Sequence, residues 1–116
     1  MAKYFNQEEL TCHCCNECQM NEDFMNKLLK VRADFGQPMI VSSAYRCELH
    51  NSAVGGAPNS QHIRGNAIDI FWDDYSAMEK YQLLESVLAY DLRGIGLSHE
   101  FIHFDNRKGV GKMWFY

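Results

Sequence analysis

The chain has no apolar run approaching the roughly 20 residues that cross a bilayer, so stable membrane insertion is not expected. Its opening, MAKYFNQEEL, lacks the apolar stretch of a secretory leader. Together these absences give the expectation of a protein made in the cytoplasm, which stays there or leaves by another route. Positive charge is also scarce. There are 11 Lys and Arg against 15 Asp and Glu, a formal net charge of −4 with the five His neutral. That argues against a nucleic-acid-binding domain driven by bulk basic charge. No internal repeat, low-complexity tract or linker breaks the chain. Residues 1–116 therefore read as a single domain with one core, and 1–19 is a Cys-rich segment of the same unit.

What is present is ordinary in bulk: 47% hydrophobic and 22% charged residues. Cysteine is the exception, at five residues, an odd number that cannot all pair within one chain. Met20, Phe24, Leu28, Val31 and Phe35 recur in steps of three and four, which predicts a helix with Asn21 as N-cap and Gly36 as its stop. Met39 to Ser42 reads as a strand. The stretch from Cys47 to Gln61, with VGGAPNS inside it, reads as irregular apart from a helical turn over Glu48 to Ala53. AIDIFW is a short strand. A second helix carries Met78, Tyr81, Leu84, Val87 and Leu88 on one stripe. GIGL, FIHFD and KMWFY are three more strands, joined by short connections and expected to be antiparallel. The fold class is α+β, a small mostly antiparallel sheet packed against two main helices.

Chemistry concentrates in two segments. In SQHIRGNAIDI, strand alternation puts Asp69 on the face opposite Ile68 and Ile70, and Gly65 lets the chain fold His62 back toward that face. In SHEFIHFDNR, His103 shares a face with Phe101 and Asp105, opposite Ile102 and Phe104. Two imidazoles and one carboxylate suit a catalytic zinc ion with its fourth position open, and a cation would offset the cost of placing Asp69 in the core. Glu100, three residues before His103, could take a proton from the attacking water, provided that a turn or bulge brings it round to the His103 face. Arg46, after SSAY, could hold a substrate carboxylate or a developing oxyanion.

These residues resemble a known family. Ser60, His62, Gly65, Ala67 and Asp69 in the pattern S-x-H-x-x-G-x-A-x-D, followed by Glu100 and His103 as E-x-x-H, look like the zinc D-alanyl-D-alanine peptidases. SSAYR, HNSAVGGAPNSQH and FIHFDNR resemble further segments of that family, FIHFDNR in its small phage-associated branch. The resemblance spans roughly Phe24 to Arg107. It implies zinc on His62, Asp69 and His103, Glu100 as general base, Arg46 at the oxyanion or substrate carboxylate, and the fold shared with the hedgehog signalling domain. It also implies a substrate from the bacterial cell wall, a peptide containing D-amino acids, and no nucleic acid partner.

Around that set, several residues have two readings. Asp105 either orients a ligand imidazole or pairs with Arg107 or Arg64. Ser60 either bonds substrate or stabilises its loop. His99 either is exposed or lines the cleft and binds substrate. His50 belongs to the structural RCELHN loop, and MWFY to strand core. Cys12, Cys14, Cys15 and Cys18, with His13, have a local structural role, hold a metal, or form a disulfide that could include Cys47.

The function expected is that of a monomeric zinc peptidase acting on peptidoglycan, either an endolysin of a phage or prophage or a D-Ala-D-Ala carboxypeptidase-like enzyme. Such an enzyme would wait in the cytoplasm for a membrane-disrupting partner such as a holin. The competing readings are a non-catalytic zinc-containing binding module of the same fold and a cytoplasmic D-Ala-D-Ala dipeptidase.

Overall fold

A computed structural model describes residues 5, 7–12, 18–56 and 60–116. His13, Cys14 and Cys15 of the cysteine cluster lie outside the described residues. Among the described residues, four helices and five strands follow in the order α1 (Gln7–Leu10), α2 (Glu22–Phe35), β1 (Ile40–Ser43), α3 (Glu48–Ala53), β2 (Ala67–Phe71), α4 (Ala77–Ala89), β3 (Gly94–Leu97), β4 (Phe101–Asp105) and β5 (Lys112–Phe115). The fold is the α+β arrangement expected from the sequence. No helix among the described residues is long and apolar enough to cross a membrane.

Helix α2 forms where its capping chemistry puts it. The Asn21 side chain accepts the Phe24 N–H at 2.9 Å, and Gly36 closes the helix in the left-handed conformation at φ 77°. Its buried residues, Phe24, Met25, Leu28, Val31 and Phe35, make one stripe against the sheet. Helix α4 begins in a reciprocal capping box between Ser76 and Glu79.

The buried face of α4 differs from the expected stripe. Leu83, Ser86 and Val87 are buried, whereas Met78, Tyr81 and Leu88 are 57–62% exposed. A polar contact sets this rotation: Ser86 donates a short hydrogen bond to Asp34 on α2, so a serine faces inward where apolar periodicity would place none.

The strand order is β1-β2-β4-β3-β5. Pairing is antiparallel except between β3 and β5, which run parallel. This corrects the expectation that the last three strands form an antiparallel run. The turn after β4 does reverse the chain, but β4 is already flanked by β2 and β3. Strand β5 therefore adds to the free edge of β3, and its direction there is that of β3.

Period-two alternation splits the sheet into two faces. Ile68, Ile70, Ile95, Ile102 and Phe104 join the α2 and α4 residues in one apolar core, with the Phe24 and Phe104 rings 6.5 Å apart. The other face carries a row of residues in register across four strands: Asp69, His103, Gly96 and Trp114. Between β1 and β2 the loop returns through a turn at 61–65 that ends at Gly65, φ 66°. A Cβ there would lie 1.8 Å from the Gln19 carbonyl oxygen, so this turn packs directly on the segment entering α2.

The core carries a direct prediction. Phe104 is fully buried. Phe104→Ala should lower unfolding free energy by about 3–5 kcal/mol, read from urea denaturation followed by far-UV dichroism. A loss below about 1 kcal/mol would show that the two rings do not anchor α2 to the sheet.

Candidate metal centre

Three elements bring the candidate ligands together. Asp69 and His103 are cross-strand partners on β2 and β4. His62 comes from the turn before β2, and its backbone carbonyl accepts the Arg46 N–H at 3.1 Å. His62 Nε2 lies 3.1 Å from Asp69 Oδ1, His103 Nδ1 lies 2.9 Å from the same oxygen, and the two ring nitrogens are 3.2 Å apart. All three side chains are buried.

The outer hydrogen bonds decide what these atoms are. His62 Nδ1 lies 2.6 Å from the Ala44 carbonyl oxygen, which can only accept, so Nδ1 carries the proton. His103 Nε2 lies 2.6 Å from Asp105 Oδ2, so the proton sits there as well. Both neutral imidazoles then direct a lone pair at a carboxylate oxygen and at each other. Three acceptors facing one another must share a cation or take up protons. The edges of the triangle are close to the roughly 3.3 Å edge of a tetrahedron with ~2.0–2.1 Å metal–ligand bonds. The donor set and its spacing therefore fit a divalent zinc-like ion.

Electrostatics point the same way. In the absence of a cation the imidazoles take up a proton in its place: burial alone would raise the Asp69 carboxyl, but its hydrogen bonds with protonated His103 or His62 outweigh burial and hold the group well below the usual carboxylate range. For His103, burial alone would lower the imidazole; its bonds to Asp105 and Asp69 prevail and raise it. The site favours positive charge at its centre.

Asp105 lies directly behind His103 with no exposed surface. Burial acts to raise its carboxyl, yet Arg107 and His103 bring it down to about 2. Arg107 grips it in a fork, Nε to Oδ1 at 2.9 Å and Nη2 to Oδ2 at 2.8 Å. Space for this buried pair comes from Gly94 across the ladder, where a Cβ would sit 2.0 Å from Asp105 Oδ1. Gly96 does the same for Trp114: a Cβ there would lie 2.5 Å from the indole nitrogen, and the indole ring reaches within 5.2 Å of the His103 ring.

A cleft of about 810 Å³ opens over the three ligands. Arg46 lies in its wall, with Nη1 donating to Asn51 Oδ1 at 3.1 Å and Nη2 lying 3.7 Å from Asp69 Oδ2. Its Nε is buried with no hydrogen-bond partner among the described residues. Burial lowers the guanidinium from its ordinary value, against the pull of Asp69, and it remains a cation at neutral pH. Ser60 also lines the cleft, and its hydroxyl accepts the His62 N–H at 3.2 Å.

Two candidate residues are not brought to the site. Glu100 is exposed in the β3–β4 turn and does not line the cleft. No bulge turns it round. The β2–β4 register runs unbroken to Phe71 and Phe101, and the Trp72 N–H continues the ladder to the Glu100 carbonyl at 2.9 Å. Strand parity therefore directs Glu100 away from the His103 face. His99 has an 89% exposed side chain, pairs with Asp73 at 3.0 Å, and is outside the cleft.

His50, Trp114 and Tyr116 line the cleft, although the sequence reading placed His50 in loop structure and the two aromatics in strand core. The alternating glycines of GIGL were the available signal. Two missing side chains on one strand face leave room for something large beside them.

The sequence matches the peptidase M15 family over residues 3–105, nearly the whole chain. The protein belongs to that family, whose members are zinc-dependent metallopeptidases. No curated protein matches it.

Asp105→Asn should weaken zinc binding by about 10–100-fold in a competition titration with a chromogenic chelator, because the His103 tautomer is then no longer held by a carboxylate. An unchanged affinity would remove Asp105 from the support of the ligand set.

Proposed function

We propose that the protein is a zinc peptidase that hydrolyses peptides of the bacterial cell wall. The observation that carries this reading is the convergence of His62, Asp69 and His103 through acceptor atoms whose opposite faces are already bonded. His62, Asp69 and His103 would hold the ion. When bound, zinc supplies a Lewis acid that polarises a peptide carbonyl and acidifies a water.

The chain's own groups supply the rest. Ala44 and Asp105 keep the two imidazoles in the ligating tautomer. Arg46 presents a cation beside Asp69, placed to bind the oxygen of the scissile carbonyl or a substrate carboxylate. Arg107 neutralises Asp105, so the buried carboxylate does not need a second cation from solvent. His50, Lys112 and Tyr116 line the cleft outside the ligand set and are its further proton-carrying side chains. Tyr116 is largely exposed at the cleft rim, and partial desolvation of its phenol raises it further above its ordinary value, so it stays protonated at neutral pH.

The cleft opens along the sheet face, with exposed Lys112 and Tyr116 in its walls. That shape suits a cross-linked polymer better than a free dipeptide. With the resemblance to phage-associated members, it supports a lytic role for a phage or prophage. A second reading has one observation behind it. Asp69 is the one carboxylate side chain among the described residues lining the cleft, so a carboxylate general base is missing and a metal-holding binding module is the alternative.

Digestion of purified sacculi, with released fragments identified by mass spectrometry, separates the two. The zinc-loaded protein should release peptide fragments, a chelator should stop it, and Asp69→Ala should reduce release at least ~100-fold. No release by loaded protein would leave the binding module. Glu100→Ala should keep turnover within about threefold. A large loss with zinc retained would return the base role to Glu100.

A further inference from the structure

The cysteines are the conspicuous part of the sequence that the metal centre does not use. Cys12 follows α1 and is fully buried. Cys47 is the residue after Arg46 and the N-cap of α3, with its sulfur accepting the His50 N–H at 3.4 Å. The two thiols lie 3.7 Å apart, sulfur to sulfur, across 35 residues of chain. The backbone sets this proximity. The Tyr45 N–H bonds the Leu10 carbonyl at 3.3 Å, and the Cys47 N–H donates to Cys12 Sγ at 3.4 Å.

We infer that Cys12 and Cys47 form an oxidisable pair whose disulfide ties the N-terminal segment to the corner carrying Arg46. A disulfide of ~2.05 Å requires the sulfurs to close by about 1.7 Å from their present 3.7 Å. The oxidant is a low-molecular-weight disulfide such as glutathione disulfide. Cys47, the more exposed of the two, attacks it as the thiolate, forming a mixed disulfide and releasing one glutathione. The Cys12 thiolate then attacks Cys47 Sγ and expels the second. Two thiols and one glutathione disulfide give one protein disulfide and two glutathione, which take the two protons. The cross-link closes a long loop of the unfolded chain, so it stabilises the fold. It also stiffens the start of α3, whose Asn51 holds the Arg46 guanidinium.

The test uses the full chain carrying one zinc ion, equilibrated with glutathione and glutathione disulfide. Remaining thiols are alkylated in denaturant and the digest is mapped without reduction. A Cys12–Cys47 linked peptide should dominate, and Tm should rise by at least ~5 °C over the reduced protein. Both effects should vanish in Cys47→Ser and persist in Cys18→Ser. Recovery of Cys12 and Cys47 as alkylated thiols, or joined to Cys14, Cys15 or Cys18, would overturn the assignment. So would a second metal ion per chain released on alkylation, which would make the two sulfurs metal ligands. The wild-type map needs no variant, so it decides the question even if Cys47→Ser does not fold.

Discussion

The site depends on an arrangement that is unfavourable by itself: two imidazole lone pairs and a carboxylate oxygen held within 2.9–3.2 Å of each other in the protein interior. None of the three can turn away. His62 is held from behind by the Ala44 carbonyl, His103 by Asp105, and Asp69 by its place in a central strand. The fold thus concentrates electron pairs at one point, where a small divalent cation or added protons would relieve them.

The apolar side of the sheet makes this possible. Ile68 and Ile70 flank Asp69 in sequence, and Ile102 and Phe104 flank His103, all directed into the core beneath α2 and α4. Burial of those neighbours fixes the register of β2 against β4, since a slip of one residue would turn the isoleucines to solvent. The same register that buries the core therefore aligns the ligands. On the polar side, Gly94 and Gly96 leave the volume that Asp105 and Trp114 fill. A buried carboxylate is tolerable there because Arg107 forks onto it and His103 bonds it, which leaves the Asp105 charge paired.

Strand parity also explains the separation between the ligands and Glu100. Odd-numbered positions of β4 lie on the His103 side of the sheet and even-numbered positions face the core, and Glu100 continues the even set at the end of the ladder. Placing a proton acceptor there would require a bulge, and the Trp72 bond to the Glu100 carbonyl occupies the position where one would form. The cleft instead gathers groups from elements distant in the chain, His50 on α3, Trp114 on β5 and Tyr116 just beyond it.

Much of this was legible in the residues alone. Capping signals at Asn21 and Gly36 and the apolar stripe of α2 act locally, so they read directly from sequence. The alternation in AIDIF and FIHFD assigned Asp69 and His103 to the faces on which they lie. Other features needed the folded chain because they are long-range. The rotation of α4 follows from Ser86 meeting Asp34 on another helix, and the parallel placement of β5 from which sheet edge remained open. The distances among His62, Asp69 and His103, the meeting of Cys12 with Cys47, and the approach of Trp114 over Gly96 join residues dozens of positions apart. The sequence by itself determined which side chains each segment could offer and on which face. Only tertiary structure decided which of them meet, because contact across strands and loops is set by the packing of the whole core rather than by neighbours along the chain.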